Sequence, residues 1–127
     1  TKIGSAMEDS DHRQMQIKGR DVTEGMSRSI VIGSDEIYIA INDALQRIVR
    51  AIRETLENTP PELSADIFER GMGIAGGGAL LRDMDRRLMQ ETGLPVVVAE
   101  DPLTCVARGC GRALEEIAVL GDVFASE

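Results

Sequence analysis

Aromatic residues, cysteine and histidine are all scarce in this sequence. Aromatic residues make up 2% of its 127 residues and tryptophan is absent, so the chain lacks the stacking side chains on which single-stranded nucleic acids bind. Two cysteines and one histidine are too few for a structural zinc site, which needs about four such ligands. The cysteines, Cys105 and Cys110, lie five residues apart in a segment with helical periodicity, so they point in different directions and are expected to stay reduced.

Positive charge and long apolar runs are also lacking. The 14 Lys and Arg residues are outnumbered by 22 Asp and Glu, and a net charge of −8 argues against binding to nucleic acid or to an anionic membrane surface. No apolar run, of which 94–99 is among the longest, approaches the roughly 20 residues of a membrane-spanning helix, and no charged-then-apolar signal segment opens the chain. Apolar residues make up 43% of the sequence and are mostly aliphatic, so we expect a cytoplasmic globular protein with an aliphatic core.

Alternation of apolar and polar residues in the first quarter of the chain predicts a β-hairpin. The segments 15–18 and 29–32 alternate with the period of a half-buried strand, and the link 21–25 between them contains glycine. The polar segment 8–13 ahead of the hairpin predicts an exposed loop.

From Asp35 onward the apolar period becomes helical and stays so to Leu56. Ser34 is the predicted N-cap of this helix, because a serine hydroxyl can accept a hydrogen bond from the first turn. The predicted inward stripe consists of Ile37, Ile41, Ala44, Leu45, Ile48, Val49, Ile52 and Leu56.

A second, short helix is predicted after the segment 59–62. That segment combines two prolines with a capping-box pattern between Thr59 and Glu62. Leu63 and Ile67 would face inward, and Gly71 would end the helix.

The next part of the chain predicts a strand, a glycine loop, a helix and a second strand. The apolar run 72–75 is followed by the glycines 76–78, then by helical periodicity over 79–92 with Gly93 as its cap, and then by the β-branched run 95–99. Because a helix-sized crossover separates the two strands, we expect them to be buried and parallel.

A last helix is predicted to begin at Asp101 and Pro102, an N-cap followed by a first-turn proline, and to run to about Leu120. Its predicted inner face consists of Leu103, Val106, Cys110, Leu114 and Ile117. The whole chain is therefore predicted to have an α/β fold, with short parallel strands, flanking helices and a β-hairpin.

The glycines 76–78 are the most informative local feature. They remove every side chain between a strand end and a helix start, so a ligand such as a nucleotide can approach the backbone N–H groups. The helix dipole favours negative charge at these groups. The pattern is neither a P-loop, since no lysine follows, nor GxGxxG. On the residues alone, a tight turn whose glycines serve only backbone geometry is an equal alternative.

The remaining polar residues predict no catalytic or metal site. His12 lies in a polar loop without a recognisable Ser, Cys or Asp partner, so a surface histidine is expected. Acidic and basic residues alternate on the helix after the glycines and predict a solvated face rather than catalysis. They are Arg82, Asp83, Asp85, Arg86, Arg87 and Glu91.

Four segments resemble the MreB family of bacterial actin-like cell-shape proteins. The two most specific are 71–81 (GMGIAGGGALL) and 94–109 (LPVVVAEDPLTCVARG), and 60–67 (PPELSADI) and 3–6 (IGSA) resemble the family as well. The resemblance implies the C-terminal part of an actin-like, ribonuclease H-like ATPase domain. Residues 1–40 would form the later part of subdomain IIB, with the hairpin and the start of a helix. Residues 41–127 would form the later part of subdomain IIA, with the adenosine motif and the second connecting helix.

The resemblance also implies a function. The chain is expected to be a fragment of an ATP-dependent filament protein that organises cell-wall synthesis and maintains cell shape. Gly76, Gly77 and Gly78 would line the adenosine side of a cleft that holds ATP or ADP with Mg²⁺ in the intact protein. Expected partners are further copies of the protein in a filament and the cell-wall elongation protein RodZ. The location would be cytoplasmic, at the inner face of the membrane, reached only through the missing N-terminal part.

The resemblance places the catalytic carboxylate, both phosphate loops and the metal ligands in that missing part. This chain alone is therefore expected to hold no catalytic residue. Two alternatives stay open: a piece of another actin-superfamily ATPase such as a sugar kinase, and a non-catalytic docking module.

Overall fold

Two pairs of β-strands and four α-helices make up residues 2–117, the part of the chain that the computed structural model describes. In chain order they are β1 (Gln14–Arg20), β2 (Ser27–Gly33), α1 (Ser34–Glu57), α2 (Pro61–Arg70), β3 (Met72–Ile74), α3 (Met84–Thr92), β4 (Val96–Val98) and α4 (Cys105–Glu115), with a 3-10 turn at Gly77–Leu80 between β3 and α3. None of the helices in these residues is long and apolar enough to cross a membrane.

The predicted β-hairpin is confirmed. Strands β1 and β2 pair antiparallel, with Gln14 opposite Gly33 at the open end. At the closed end the Asp21 N–H donates to the Met26 carbonyl at 2.8 Å, and the Asp21 carboxylate accepts from the Thr23 N–H at 2.9 Å. Backbone N–H donors hold the pKa of Asp21 below its usual range, because they stabilise the carboxylate.

Helix α1 confirms the predicted helix, but its N-cap is Gly33 rather than Ser34, and Ala44 and Ile48 of the predicted inward stripe are exposed. The Ser34 hydroxyl accepts from the Arg13 N–H at 3.1 Å, so it holds the chain entering β1 and does not cap its own helix. A side chain of the first turn instead bonds back to the N-cap residue, since the Glu36 carboxylate accepts from the Gly33 N–H at 3.2 Å.

Helix α2 begins at Pro61 with Pro60 as its N-cap, and the capping box predicted between Thr59 and Glu62 does not form. The Thr59 hydroxyl instead donates to the Thr55 carbonyl at 2.6 Å. The threonine is thus bound to the preceding helix α1.

The predicted inner face of α2 is only partly correct. Ile67 is half-buried, but Leu63 is 55% exposed because within residues 2–117 its side of the helix faces outward. Gly71 ends the helix as predicted, and its N–H donates to the Ile67 carbonyl at 2.7 Å.

Strands β3 and β4 are parallel, as predicted, with Met72 opposite Val96 and Ile74 opposite Val98. The prediction that both strands are buried is wrong for one face of this sheet. Helix α3 and helix α1 cover the other face, whereas Val97 is 66% exposed on the open face.

The helix predicted over 79–92 begins later than expected. Gly76 is followed by the 3-10 turn Gly77–Leu80, then by a break, and α3 starts only at Met84. The break ends at Asp83, whose φ of 61° is left-handed and cannot continue a helix. Gly93 caps the end of α3 as predicted.

The core lies between α1, α3 and the sheet, and it includes the start of the chain. Ala6 is fully buried and Ser5 is 1% exposed, and Ser5 forms a parallel bridge with Arg82. The sequence pattern gave this segment no structural role. The buried cluster consists of Ala6, Leu45, Val49, Met84, Leu88 and Val96.

Helix α4 departs most from expectation. Its N-cap is Thr104, and the predicted N-cap Asp101 lies earlier in a left-handed turn with a φ of 48°. The predicted inner face is exposed, and α4 has no buried residue among residues 105–115. Exposed fractions reach 72% for Val106 and 70% for Leu114. The predicted end near Leu120 lies outside the described residues.

We predict that Gly71→Ala destabilises the fold far more than Gly93→Ala. Gly71 combines a φ of 76° with a ψ of −163°, which is essentially restricted to glycine, and an added Cβ would lie 2.8 Å from Cβ of Pro95 and clash with its carbonyl oxygen. The expected cost is about 3 kcal/mol or more. Gly93, with a φ of 73° and open space, should cost about 1 kcal/mol. Urea denaturation of the protein that carries this sequence measures both, and equal losses would contradict the close approach at Pro95.

Candidate functional site

The glycine loop leaves the carboxyl end of β3 and is fixed at its first residue. Gly76 has a φ of 82° and a ψ of 177°, a conformation that only glycine adopts readily. Its N–H donates to the Pro102 carbonyl at 2.7 Å, and its carbonyl accepts from the Ala79 N–H at 3.2 Å. Backbone geometry therefore explains this glycine without any ligand.

The other two glycines have a different environment. Gly77 and Gly78 are exposed, and neither has a positive φ. A Cβ on Gly78 would meet no atom of the described chain within 4 Å, and one on Gly77 would only touch Leu103 at 3.5 Å. Neither packing nor backbone strain explains why these two positions are occupied by glycine. The space in front of them is open to a second molecule.

The helix dipole expected at this loop is not present. Only the four-residue turn Gly77–Leu80 follows the first glycine, and α3 begins at Met84. The N–H groups of Gly77 and Gly78 lie in the first turn of a helical segment, where N–H groups have no partner within the segment. The loop therefore offers backbone donors, but no long helix behind them.

An apolar groove with a volume of about 480 Å³ borders the loop at Gly78. It runs between α1 and the start of the chain, and its volume is within the usual range for small-molecule sites. Its apolar lining includes Ile3, Met15, Ile37, Ile41 and Leu81.

Asp83 lies shortly after the loop in sequence. It was predicted to lie on a solvated face, but its carboxylate has partners within the protein. The hydroxyls of Ser5 and Ser10 both donate to its Oδ2 atom at 2.6 Å. These hydrogen bonds, with a smaller contribution from the charges of Arg82 and Arg86, hold the pKa of Asp83 below its usual range. We refer to Ser5, Ser10 and Asp83 as the Asp83 cluster.

The arginines beside Asp83 also bind the start of the chain. Arg82 donates to the Asp11 carbonyl at 3.0 Å, and Arg86 pairs with the Asp9 carboxylate at 2.7 Å. The predicted solvated face is therefore only partly correct: the Arg86 side chain is 51% exposed, but that of Arg82 is only 22% exposed, and both bind residues more than 70 positions away in sequence.

Arg87 is buried, with 7% of its surface exposed. Its guanidinium donates to the Ala6 carbonyl at 3.3 Å and the Tyr38 hydroxyl at 3.1 Å, and it pairs with the Glu91 carboxylate at 3.1 Å. These partners offset the cost of burying its charge. Arg87 thus joins α1, α3 and the start of the chain.

The histidine and the cysteines have no catalytic arrangement. His12 is a surface histidine, as predicted, although its Nδ1 lies 2.8 Å from Oδ1 of Asp35, a partner that the sequence did not reveal; both side chains are mostly exposed. Cys105 and Cys110 are free thiols, as predicted. Within residues 2–117 no group of three His, Cys, Asp or Glu side chains could hold a metal ion.

Comparison with known proteins identifies relatives along almost the whole chain. The family model for MreB/Mbl protein matches residues 1–122. The cell shape-determining protein MreB of Escherichia coli (strain K12) is 54% identical over 127 residues, covering 99% of this chain and 37% of the relative. The cell shape-determining protein Mbl of Bacillus subtilis (strain 168) is 44% identical over 116 residues, covering 91% of this chain and 35% of the relative. The chain thus spans little more than a third of the length of these relatives.

Solved structures share the fold. The crystal structure of MreB5 of Spiroplasma citri bound to ADP matches 98% of this chain and 37% of that chain, with a TM-score of 0.82 and 36% identity. The structure of the same protein bound to AMPPNP matches 91% of this chain and 35% of that chain, with a TM-score of 0.82 and 39% identity. The predicted α/β, actin-like fold is therefore confirmed.

We predict that the stability contributed by Asp83 is lost in acid. Because its folded pKa lies below the ordinary value of 3.8, the contribution is complete at pH values above the ordinary pKa and disappears as the pH falls through the folded pKa. The difference in melting temperature between the wild type and Asp83→Asn should be largest near neutral pH and should shrink toward pH 3. A pH-independent difference for Asp83→Asn would contradict the assignment.

Proposed function

The chain belongs to the MreB/Mbl family, and on that premise we propose that it forms the adenosine side of the nucleotide cleft in an ATP-dependent, actin-like filament protein that maintains cell shape. The observation that carries this proposal is the open backbone of Gly77 and Gly78, which no contact within the described chain explains. The two MreB5 structures support it, because they hold ADP and AMPPNP on the same fold.

The residues around the loop suit an adenosine group. Gly76 fixes the start of the loop, so Gly77 and Gly78 can present unpaired N–H groups to a polar ligand atom without further ordering. The apolar groove at Gly78 can accept a flat, weakly polar group such as a base. The phosphates and Mg²⁺ would extend away from this groove.

The subdomain division is part of the same proposal. Residues 1–40 are assigned to the later part of subdomain IIB and residues 41–127 to the later part of subdomain IIA. Helix α1 (Ser34–Glu57) crosses this boundary without interruption. Helix α4, with its exposed apolar side, is assigned as the second connecting helix, and that side is available to the rest of the protein.

Self-association in a filament follows from the proposed function, since filament proteins bind copies of themselves. Binding to RodZ, and a position at the inner face of the membrane through other parts of the protein, rest on the family resemblance. The match to the MreB/Mbl family model removes the sugar-kinase alternative.

We predict that Gly77→Val strongly weakens ATP binding without unfolding the protein. The substitution adds a β-branched side chain where the nucleotide must approach, whereas the backbone angle allows it and the nearest atom is 3.5 Å from the new Cβ. We expect the affinity for ATP to fall by about 100-fold or more, comparable to a lost close contact of roughly 3 kcal/mol, and filament assembly to fall with it. Equilibrium binding of labelled ATP and light scattering measure the two effects.

Gly19→Val is the matched control for this experiment. Gly19 lies in β1, also with open space around its Cβ position and without a positive φ, but far from the loop in sequence. It should leave ATP affinity unchanged. If Gly77→Val folds and binds ATP as tightly as Gly19→Val, the tight-turn explanation of the glycines is the correct one.

We further predict that the 127-residue chain alone does not hydrolyse ATP. Hydrolysis needs the γ-phosphate, a metal ion and a water molecule to be positioned together. The acidic side chains nearest the loop are engaged elsewhere, since Asp83 accepts two serine hydroxyls and Asp101 accepts the Thr104 hydroxyl at 2.6 Å. Phosphate release with MgATP should equal the buffer blank. Turnover that survives repurification and disappears on mutation of Asp83, Asp85, Glu100 or Asp101 would refute the prediction.

A further inference from the structure

The 3-10 turn Gly77–Leu80 and helix α3 are joined by only three residues, 81–83. The Leu81 N–H donates to the Gly78 carbonyl at 3.1 Å, and the Met84 N–H donates to the Leu81 carbonyl at 3.1 Å. The 3-10 turn that carries Gly77 and Gly78 therefore ends directly in this link, and a shift of the link moves the turn.

The link ends in a residue that is strained. Asp83 is one of two non-glycine residues with positive φ in the described chain, at 61°, a left-handed conformation that is disfavoured for an L-residue. Such a conformation persists only where the surroundings hold it. The two serine hydroxyls on Oδ2 hold the side chain, and the Arg87 N–H, at 2.9 Å from the Asp83 carbonyl, holds the backbone.

The serines that hold Asp83 belong to the start of the chain. Ser5 is 1% exposed, and its neighbour Ala6 donates its N–H to the Arg82 carbonyl at 2.9 Å. Ser10 follows in the loop that leads into β1 at Gln14. The link is thus bound on one side to the glycine loop and on the other to the segment that leads into the hairpin.

We propose that Asp83 is a positioning residue for nucleotide binding: by accepting the hydroxyls of Ser5 and Ser10, it fixes the end of the turn that presents Gly77 and Gly78 and ties that turn to the segment preceding the hairpin. The proposal rests on the proposed function of the glycine loop. It assigns no contact with the nucleotide to Asp83 itself. Because Asp83 joins the turn to residues 3–10, nucleotide binding at the turn and the docking of residues 3–10 are coupled, so each favours the other.

Three substitutions separate the side-chain contacts from the backbone conformation. Asp83→Asn keeps an oxygen acceptor and tolerance of positive φ, Asp83→Gly keeps only the tolerance, and Asp83→Ala keeps neither. In the MreB-family protein that carries this sequence, Asp83→Asn should bind ADP nearly as tightly as the wild type. Asp83→Gly should bind ADP about 10-fold more weakly, a typical coupling between linked sites, although its relieved backbone keeps its melting temperature close to that of Asp83→Asn. Asp83→Ala should lose both affinity and stability.

Arg53→Ala is the matched control, and it should leave ADP affinity unchanged. Arg53 pairs with the Glu91 carboxylate at 3.1 Å, so it also joins α3 to another element, but at the helix end remote from the loop. The rate of hydrogen exchange of residues 76–81, measured without nucleotide, supplies a second test. Asp83→Gly should raise this rate. If Asp83→Gly binds ADP as tightly as the wild type, only the backbone conformation matters and the proposal is wrong.

The two proposals fail in different ways. If the wild type and Gly77→Val bind ADP equally weakly, the proposed nucleotide site fails, while the exchange measurement still tests whether Asp83 fixes the loop. If Gly77→Val abolishes binding but exchange of residues 76–81 is the same in the wild type and in Asp83→Gly, only the positioning role is overturned. Ser10→Ala should also weaken ADP binding, and adding it to Asp83→Gly should bring no further loss, because Asp83→Gly already removes the contact with Ser10.

Discussion

Burial of the segment 3–6 between α1 and α3 is the constraint on which the rest of this structure depends. Ala6 has no exposed surface, and Ser5 has almost none, so the backbone and hydroxyl groups of this segment are removed from water. A buried polar group without a partner costs several kcal/mol, and partners must therefore be supplied by neighbouring elements. Asp83, directly before α3, and Arg87, within α3, supply them, so that Arg87 is buried and Asp83 is partly buried.

Local pattern was enough to predict the elements whose partners are close in sequence. The hairpin 14–33, the helix ended by Gly71 and the parallel strands β3 and β4 each follow from periodicity and from glycine or proline at their ends. The prediction that both cysteines are reduced followed from their spacing alone. The glycine loop was located correctly, although its chemical role required the likeness to known proteins and remains a proposal.

The errors around the glycine loop and on α4 have one physical origin, since each concerns surroundings that no local pattern encodes. The alternating charges after the loop have the spacing of a solvated helix face, but their partners lie 71 to 81 residues earlier in the chain. An aspartate directly before Met84 is a common helix-start signal, and it was the one local sign that α3 begins there. The apolar stripe of α4 was correctly identified as apolar, yet its exposure depends on what surrounds it and not on its own sequence.

The long sequence separation within the Asp83 cluster has a consequence for the order of folding. Ser5 and Asp83 are separated by 78 residues, whereas β3 and β4 are joined through a short local crossover. Closing a long loop costs conformational entropy before any contact repays it, so we expect the β3–α3–β4 unit to form first and residues 3–10 to dock onto it afterwards. Interactions that form after the rate-limiting step act mainly on the rate of unfolding. The cluster that fixes the glycine loop would then also determine how long the native state persists once it has formed.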